Sequence, residues 1–171
     1  MIGRLALPGR LPALLVAAGL FLATAGPAWA QAPSIGEPAP VVALRDLDGV
    51  VVDLGEIYGK KPVVILFWAT WCPICEKLIP QFDSARARFG DRVALLGVNV
   101  TVNQDKERVR RHLAAHPAPF RTLWDDQGES VRAFDVLGTS VVVIIDAEGR
   151  LAYSGYGEGQ DLVGEIAKVV R

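Results

Sequence analysis

The chain has 171 residues, of which 51% are hydrophobic, and its formal net charge is −1 at pH 7. This balance, with no run of lysine or arginine, argues against a nucleic-acid-binding protein, which would carry a basic patch. The length suits a short leader followed by one domain with its own hydrophobic core.

The first 30 residues have the pattern of a secretory signal peptide. Two arginines precede an apolar stretch at residues 11–25, and Ala28-Trp29-Ala30 then provides small residues for signal peptidase. We predict cleavage after Ala30, which leaves residues 31–171 as one exported domain. The alternative is an uncleaved membrane anchor, because a membrane span needs roughly 20 mostly apolar residues and no charge occurs at residues 11–36.

The next segments predict a hairpin and a central strand. Residues 41–44 and 50–54 flank Asp48-Gly49, a dipeptide favoured in tight turns, and therefore predict a β-hairpin. Residues 63–68 form an unbroken apolar run that contains β-branched and aromatic residues. Such a run is typical of a strand that is buried on both faces of a sheet.

The pattern then changes to the period of an α-helix. Apolar residues recur every three or four positions over residues 73–89, which predicts an amphipathic helix that ends near Gly90. Pro73 lies in the first turn of this helix, whereas Pro80 lies in its interior and predicts a kink. Residues 93–98 predict a second buried strand, parallel to the first and reached by a right-handed crossover.

The rest of the chain completes an α/β fold. A polar helix capped by Asn103 or Asp105 is expected to run toward His116, where Pro117 stops it. The remaining predicted elements are a short strand at residues 120–124, a helical turn at 130–134, an antiparallel hairpin at 141–145 and 150–154, and a last helix capped by Asp161.

The two cysteines of the chain, Cys72 and Cys75, lie at the start of the predicted amphipathic helix. Disulfide exchange needs an attacking thiolate and a second thiol close enough to resolve the mixed disulfide. The helix amino terminus stabilises negative charge on Cys72, and Cys75 lies one turn further along, shielded by the helix. We therefore predict that Cys72 is the nucleophile and Cys75 the resolving thiol of a redox pair, which an exported compartment can oxidise.

Structural and metal-binding roles fit less well. A disulfide that closes so short a loop removes little chain entropy, so it would stabilise the fold weakly. Zinc sites usually take four ligands, and the chain has only two cysteines and two histidines. His112 and His116 lie on a helix rich in lysine and arginine, which predicts a solvated face rather than a metal site. We expect neither a metal nor another cofactor.

Residues 67–75, Phe-Trp-Ala-Thr-Trp-Cys-Pro-Ile-Cys, resemble the active-site stretch of thioredoxin-like proteins, and most of all the TlpA and ResA type. Residues 36–40, 46–49 and 143–149 extend the resemblance over nearly the whole exported domain. It implies a thioredoxin fold, in which a central mixed sheet is flanked by helices. It also implies an N-terminal β-hairpin and an inserted helical segment at residues 102–120.

The resemblance also implies the function and the partners. The expected protein is a monomeric periplasmic thiol-disulfide oxidoreductase that reduces a partner's disulfide and receives electrons from a membrane thiol carrier. Apocytochrome c or a copper-site assembly protein is the expected partner. The expected docking residues are Trp71, Pro73 and Ile74 around the cysteines, and Thr139 and Ser140 in the loop that faces them.

Three positions depart from the family pattern. Ser140 occupies the place of a cis-proline, and we expect a trans bond after Thr139 because a non-proline cis bond costs about 2.5–4 kcal/mol. Leu66 and Leu78 occupy two places where thioredoxins and ResA-like members have a buried acid. Neither position can therefore accept the proton of the resolving thiol. Glu76, beside Cys75, could accept the proton through water, but a polar residue at such a position is more often a solvated part of the helix, and that is the role we expect.

The missing proline leaves an alternative function open. In the family this proline keeps metals away from the thiols, and copper(I) prefers thiolate ligands, so Cys72 and Cys75 could form a copper(I)-binding module. A peroxidase is disfavoured. Peroxiredoxins place a threonine three residues before the attacking cysteine, where this chain has Ala69.

Overall fold

The structure, a computed structural model, describes residues 32–170. The predicted signal peptide and its cleavage site lie outside the described residues, so the division at residue 30 stays a prediction. Among the helices of residues 32–170, none is long and apolar enough to cross a membrane.

Apart from the short helix α1, the strands and helices of the described chain follow the order that the sequence predicts. The strands are β1 (Ala43–Asp46), β2 (Val51–Asp53), β3 (Val63–Trp68), β4 (Ala94–Val100), β5 (Arg121–Asp125), β6 (Val141–Ile145) and β7 (Leu151–Tyr156). The helices are α1 (Leu54–Ile57), α2 (Pro73–Phe89), α3 (Lys106–Ala115), α4 (Glu129–Ala133) and α5 (Leu162–Val169), with a 3-10 turn at Gly90–Arg92.

The strands form one mixed sheet in the order β2-β1-β5-β4-β3-β6-β7. Strands β3, β4 and β5 are parallel neighbours, and all other pairs are antiparallel. The predicted first hairpin is β1-β2, the predicted parallel pair is β3-β4, and the predicted second hairpin is β6-β7. The central mixed sheet flanked by helices is thus confirmed.

Strand β3 lies at the centre of the hydrophobic core, and all six of its residues are buried. Because side chains alternate along a strand, every second residue from Val64 to Trp68 packs toward α2, α3 and α5. The others pack toward α1 and α4 on the opposite face. Burial of each large apolar side chain contributes about 1.5–3 kcal/mol, so this strand is firmly placed and fixes the position of the turn after Trp68.

Helix α2 matches the predicted bounds and carries its apolar side chains on one buried face. The chain leaves the helix at Gly90, whose φ of 55° lies in the left-handed region that glycine tolerates. The helix continues through Pro80, and the kink expected there stays a prediction.

The structure corrects one strand end expected from the sequence and decides between the two possible caps of a helix. Leu54 does not end the second strand but begins α1, because the Asp53 carboxylate accepts a hydrogen bond from the Gly55 N–H at 2.8 Å and caps the turn. In the inserted segment, Asp105 rather than Asn103 caps α3 and accepts from the Arg108 N–H at 2.8 Å.

Gly97 in β4 makes room for an aromatic side chain of the inserted segment. A Cβ at this position would lie 2.3 Å from the Phe120 ring, so any larger residue would displace that ring. The Phe120 ring packs at centroid distances of 6.0 Å from Trp68 and 5.5 Å from Phe82. Gly97 therefore sets how closely the inserted segment approaches the sheet.

We expect Gly97→Ala to lower the free energy of unfolding by about 1–3 kcal/mol, because the added methyl group overpacks the contact with Phe120. Guanidinium unfolding would measure the change. Gly138→Ala is the matched control, since nothing lies within 4 Å of a Cβ built there. Equal stability of the two variants would contradict this account of Gly97.

The loop before β6 has an unusual backbone at Ser140. No peptide bond in residues 32–170 is cis, which confirms the expected trans bond after Thr139. The φ of Ser140 is 65°, in the left-handed region. Its N–H donates to the Phe67 carbonyl at 2.8 Å, and its own carbonyl accepts from the Gly157 N–H at 3.2 Å. The loop is thus held from both sides.

We expect Ser140→Pro to destabilise the protein by about 3 kcal/mol, because proline fixes φ near −65° and removes the N–H that bonds Phe67. Ser140→Gly keeps the N–H and tolerates a positive φ, so it should stay within about 1 kcal/mol of the parent chain. Guanidinium unfolding of the two variants tests this. A proline variant as stable as the glycine variant would show that the loop can adopt another conformation.

Candidate active site

Cys72 and Cys75 form a disulfide where β3 passes into α2. After Trp68 the chain makes a short turn, in which the Cys72 N–H donates to the Ala69 carbonyl at 3.1 Å. Cys72 is the N-cap residue of α2, and Pro73 is its first helical residue, where the missing N–H costs nothing. The predicted pair therefore lies at the end of the most buried strand of the sheet.

The Cys72 sulfur lies at the amino terminus of α2 and accepts one helical N–H. The Cys75 N–H donates to the Cys72 Sγ at 3.1 Å, and the Glu76 N–H approaches the Cys72 carbonyl at 3.4 Å. An N–H directed at the sulfur and the positive end of the helix dipole both stabilise a thiolate at this position once the disulfide is reduced. The arrangement favours Cys72 as the sulfur that carries negative charge.

The two cysteine residues are mostly buried, whereas their sequence neighbours are exposed. Cys72 is 4% exposed and Cys75 2%, but Trp71 is 45% and Ile74 38% exposed, and Pro73 is exposed as well. The Trp71 Nε1–H donates to the Val102 carbonyl at 2.9 Å, which fixes the indole against the loop after β4. The three docking residues predicted beside the cysteines thus form an apolar rim around the disulfide.

The predicted loop residues lie next to the end of β3. Thr139 is half-buried, and Ser140 is buried. The Ser140 hydroxyl donates to the Thr139 carbonyl at 2.5 Å, so this side chain is turned back onto its own backbone. The ladder bond from Ser140 to Phe67 places the loop beside the strand that leads to the cysteines.

Gln160, a buried residue that no sequence pattern indicates, holds this loop. Its Nε2 donates to the Gly157 carbonyl at 2.7 Å and to the Ser140 carbonyl at 3.2 Å. Its Oε1 accepts from the Tyr153 hydroxyl at 3.1 Å. Burial, chiefly, raises the pKa of Tyr153, so the phenol stays protonated as a donor. A glutamine in a loop gives no sequence signal for such a role.

Gln81 of α2 connects this loop network to the helix that carries the cysteines. Its side chain donates to the Gln160 carbonyl at 2.7 Å and accepts from the Leu162 N–H at 2.8 Å. Nearby, Lys77 of α2 forms an exposed ion pair with Glu158. Helix α2, the loop after β7 and the start of α5 are thereby joined beside the disulfide.

Leucines occupy both positions where the family has a buried acid. Leu66 and Leu78 are fully buried and belong to the same apolar cluster as Cys72 and Cys75. The side of the disulfide that faces the core is therefore apolar, and Glu76 is exposed as expected.

A pocket of about 260 Å³ lies between α2 and the inserted segment, and Cys75 forms part of its wall. His112 is half-buried there with its ring 5.8 Å from Trp68, whereas His116 is exposed. The predicted solvated face is therefore right for His116 and wrong for His112, because Trp68 covers the first ring. No group of three or more His, Cys, Asp or Glu side chains in residues 32–170 is arranged to hold a metal ion.

Known proteins have sequences and structures similar to those of this chain. Residues 35–154 match the AhpC/TSA family. The chain is 30% identical over 115 residues to the thioredoxin-like protein YneN of Bacillus subtilis, which covers 67% of this chain and 66% of that protein. It is 28% identical over 144 residues to the thiol-disulfide oxidoreductase ResA of B. subtilis, which covers 84% of this chain and 79% of that protein.

The fold has a close counterpart among solved structures. A crystal structure assigned as the thiol:disulfide interchange protein DsbE of Chlorobium tepidum superposes with a TM-score of 0.73 at 26% identity, over 82% of this chain and all of that one. The thioredoxin fold expected from the sequence is thus confirmed. The chain belongs to the AhpC/TSA family and is a thioredoxin-fold thiol-disulfide oxidoreductase of the ResA and DsbE type.

Proposed function

We propose that the protein is an exported reductase in which Cys72 attacks a disulfide of a partner protein and Cys75 resolves the mixed disulfide. The observation that carries this assignment is the position of Cys72 as the N-cap of α2, where its sulfur accepts the Cys75 N–H. Cys75 lies one turn inside the helix and is positioned to attack only the sulfur of Cys72.

The reaction transfers two electrons to the partner. The Cys72 thiolate attacks one sulfur of the partner disulfide, and the other sulfur leaves as a thiolate. The Cys75 thiolate then attacks the Cys72 sulfur, which forms the intramolecular disulfide and releases the second partner thiolate. A dithiol carrier in the membrane is the proposed donor that returns Cys72 and Cys75 to the reduced state.

The rim of Trp71, Pro73 and Ile74 is the proposed docking surface, together with the loop of Thr139 and Ser140. Exposed aromatic side chains held in one position are good anchors for a partner, because little conformational entropy is lost when they bind. Trp71 meets this condition through its bond to Val102. The proposed partner is a periplasmic protein such as apocytochrome c or a copper-site assembly protein, and the proposed reductase acts as a monomer.

We expect the reduction potential of the Cys72/Cys75 pair to lie near that of thioredoxin, about −270 mV. Equilibration with thiol buffers, read from tryptophan emission and checked by trapping of free thiols, would measure it. A value near about −120 mV would make the protein an oxidant and contradict the proposed direction.

A pair that fails to cycle would favour the copper(I)-binding alternative, which the replacement of the family proline by Ser140 supports. Stoichiometric copper bound after anaerobic loading, and lost in Cys72→Ser, would establish that role. Absence of such binding in a redox-active pair would rule it out.

We expect Cys75→Ser to trap a mixed disulfide with the partner, because the variant can attack but cannot resolve. The isosteric variant Cys72→Ser is the matched control and should trap nothing. Non-reducing electrophoresis followed by mass spectrometry of the trapped band would identify the partner. Trapping by Cys72→Ser, and not by Cys75→Ser, would reverse the assigned roles.

A further inference from the structure

The proposed resolving thiol needs a proton acceptor that the family positions do not supply. Cys75 is 2% exposed, and it must lose its proton before it can attack the mixed disulfide. Leu66 and Leu78, at the two positions where the family has an acid, are fully buried and cannot accept a proton. The acceptor must therefore lie elsewhere around Cys75.

The pocket between α2 and α3 is where Cys75 meets titratable side chains. Helix α2 contributes Cys75 and Glu76 to its wall, α3 contributes His112, and His116 follows as the residue that caps the end of α3. Strand β3 and residues 117–120 contribute only apolar and aromatic side chains. At about 260 Å³, the pocket is wide enough to admit several water molecules, each of which occupies about 30 Å³ in the liquid.

Of these side chains, His112 has the best-defined position. Its ring lies 5.8 Å from the Trp68 ring on one side and is stacked at 4.9 Å on His116. Glu76 and His116 are exposed, and their side chains are less constrained. A histidine held in place by two neighbouring rings can keep one position through repeated proton transfers, whereas a mobile surface group cannot.

We propose that His112 accepts the proton of the Cys75 thiol, through solvent in the pocket, during resolution of the mixed disulfide. This inference rests on the proposed function. The Cys75 S–H bond breaks and its proton passes to the imidazole, while the sulfur electron pair forms the bond to the Cys72 sulfur. The partner sulfur leaves with the electron pair of the mixed disulfide and takes up a proton afterwards.

The surroundings of His112 keep its imidazole neutral and therefore able to accept a proton. Burial lowers the pKa of His112 from its ordinary value of 6.5, the charge of His116 lowers it further, and Glu76 opposes both effects. The nearest arginines of α3, Arg108 and Arg111, are exposed. The acceptor form is present above the pKa of His112, so it prevails at neutral pH and is lost as the pH falls.

The two chemical steps can be followed separately with 5,5′-dithiobis(2-nitrobenzoate) and the reduced full chain. The attack of Cys72 releases one thionitrobenzoate in a phase that depends on reagent concentration. Resolution by Cys75 releases the second in a phase that does not. We expect the rate of the second phase to rise with pH to a plateau, with an inflection below pH 6.5.

His112→Gln should slow the second phase at pH 7 by about 100-fold, since a positioned acid-base group contributes at least that factor, and should abolish the inflection. The first phase should be unchanged. His116→Gln is the matched control, one turn along the same helix, and should keep the plateau while the inflection moves to higher pH. Glu76→Gln should move the inflection to lower pH, because it removes the charge that raises the pKa of His112.

An unchanged second phase in His112→Gln would overturn the inference, as would loss of the inflection in Glu76→Gln with His112 intact. Added imidazole should restore the second phase of His112→Ala, and failure of this rescue in a folded variant would also count against it. Absence of the first phase from the parent chain would instead contradict the proposed function, so the two failures are distinct.

Discussion

The complete burial of β3 is the constraint on which the rest of the structure depends. Its six residues are enclosed by helices on both faces of the sheet, so the strand cannot shift without exposing a large apolar area. The position of its carboxyl end therefore fixes where the following turn and the start of α2 lie. The disulfide, the exposed rim and the loop of Ser140 all take their positions from that point.

The surroundings of Cys72 and Cys75 at the start of α2 differ, although the two residues are only three positions apart. The Cys72 sulfur accepts a helical N–H at the start of α2, whereas Cys75, one turn further along, borders the pocket. In the proposed mechanism, the helix stabilises the first sulfur as a thiolate, and the second gives its proton to a group across the pocket. The asymmetry of the two cysteines follows from a single turn of helix.

Much of this organisation could be predicted from local sequence patterns. The apolar run of β3, the helical period of α2 and the spacing of Cys72 and Cys75 are each encoded within fewer than twenty neighbouring residues. The one-turn helix α1 was not predicted, because a single Asp53 cap is a weak signal within a run of strand-forming residues. The pattern of α3 also did not reveal that Trp68 would cover His112, since that contact joins residues more than forty positions apart.

The sequence predicts where the loop of Ser140 lies, but not its backbone conformation or its hydrogen bonds. Resemblance to the family places it opposite the cysteines, and the cost of a non-proline cis bond predicts its trans geometry. Its left-handed backbone, and its bonds to Gly157 and Gln160, arise from distant parts of the chain. These hydrogen bonds depend on how the loop before β6 packs against the loop after β7, which no local sequence pattern predicts.

The bonds that Gln81 makes to Gln160 and Leu162 have a consequence for how the molecule opens. Because one side chain of the cysteine-bearing helix satisfies backbone groups at the start of α5, neither helix can detach without exposing buried polar groups of the other. The two helices thus belong to one cooperative unit of local unfolding. The stability of α5 therefore affects how often the part of α2 that carries the cysteines opens by local unfolding.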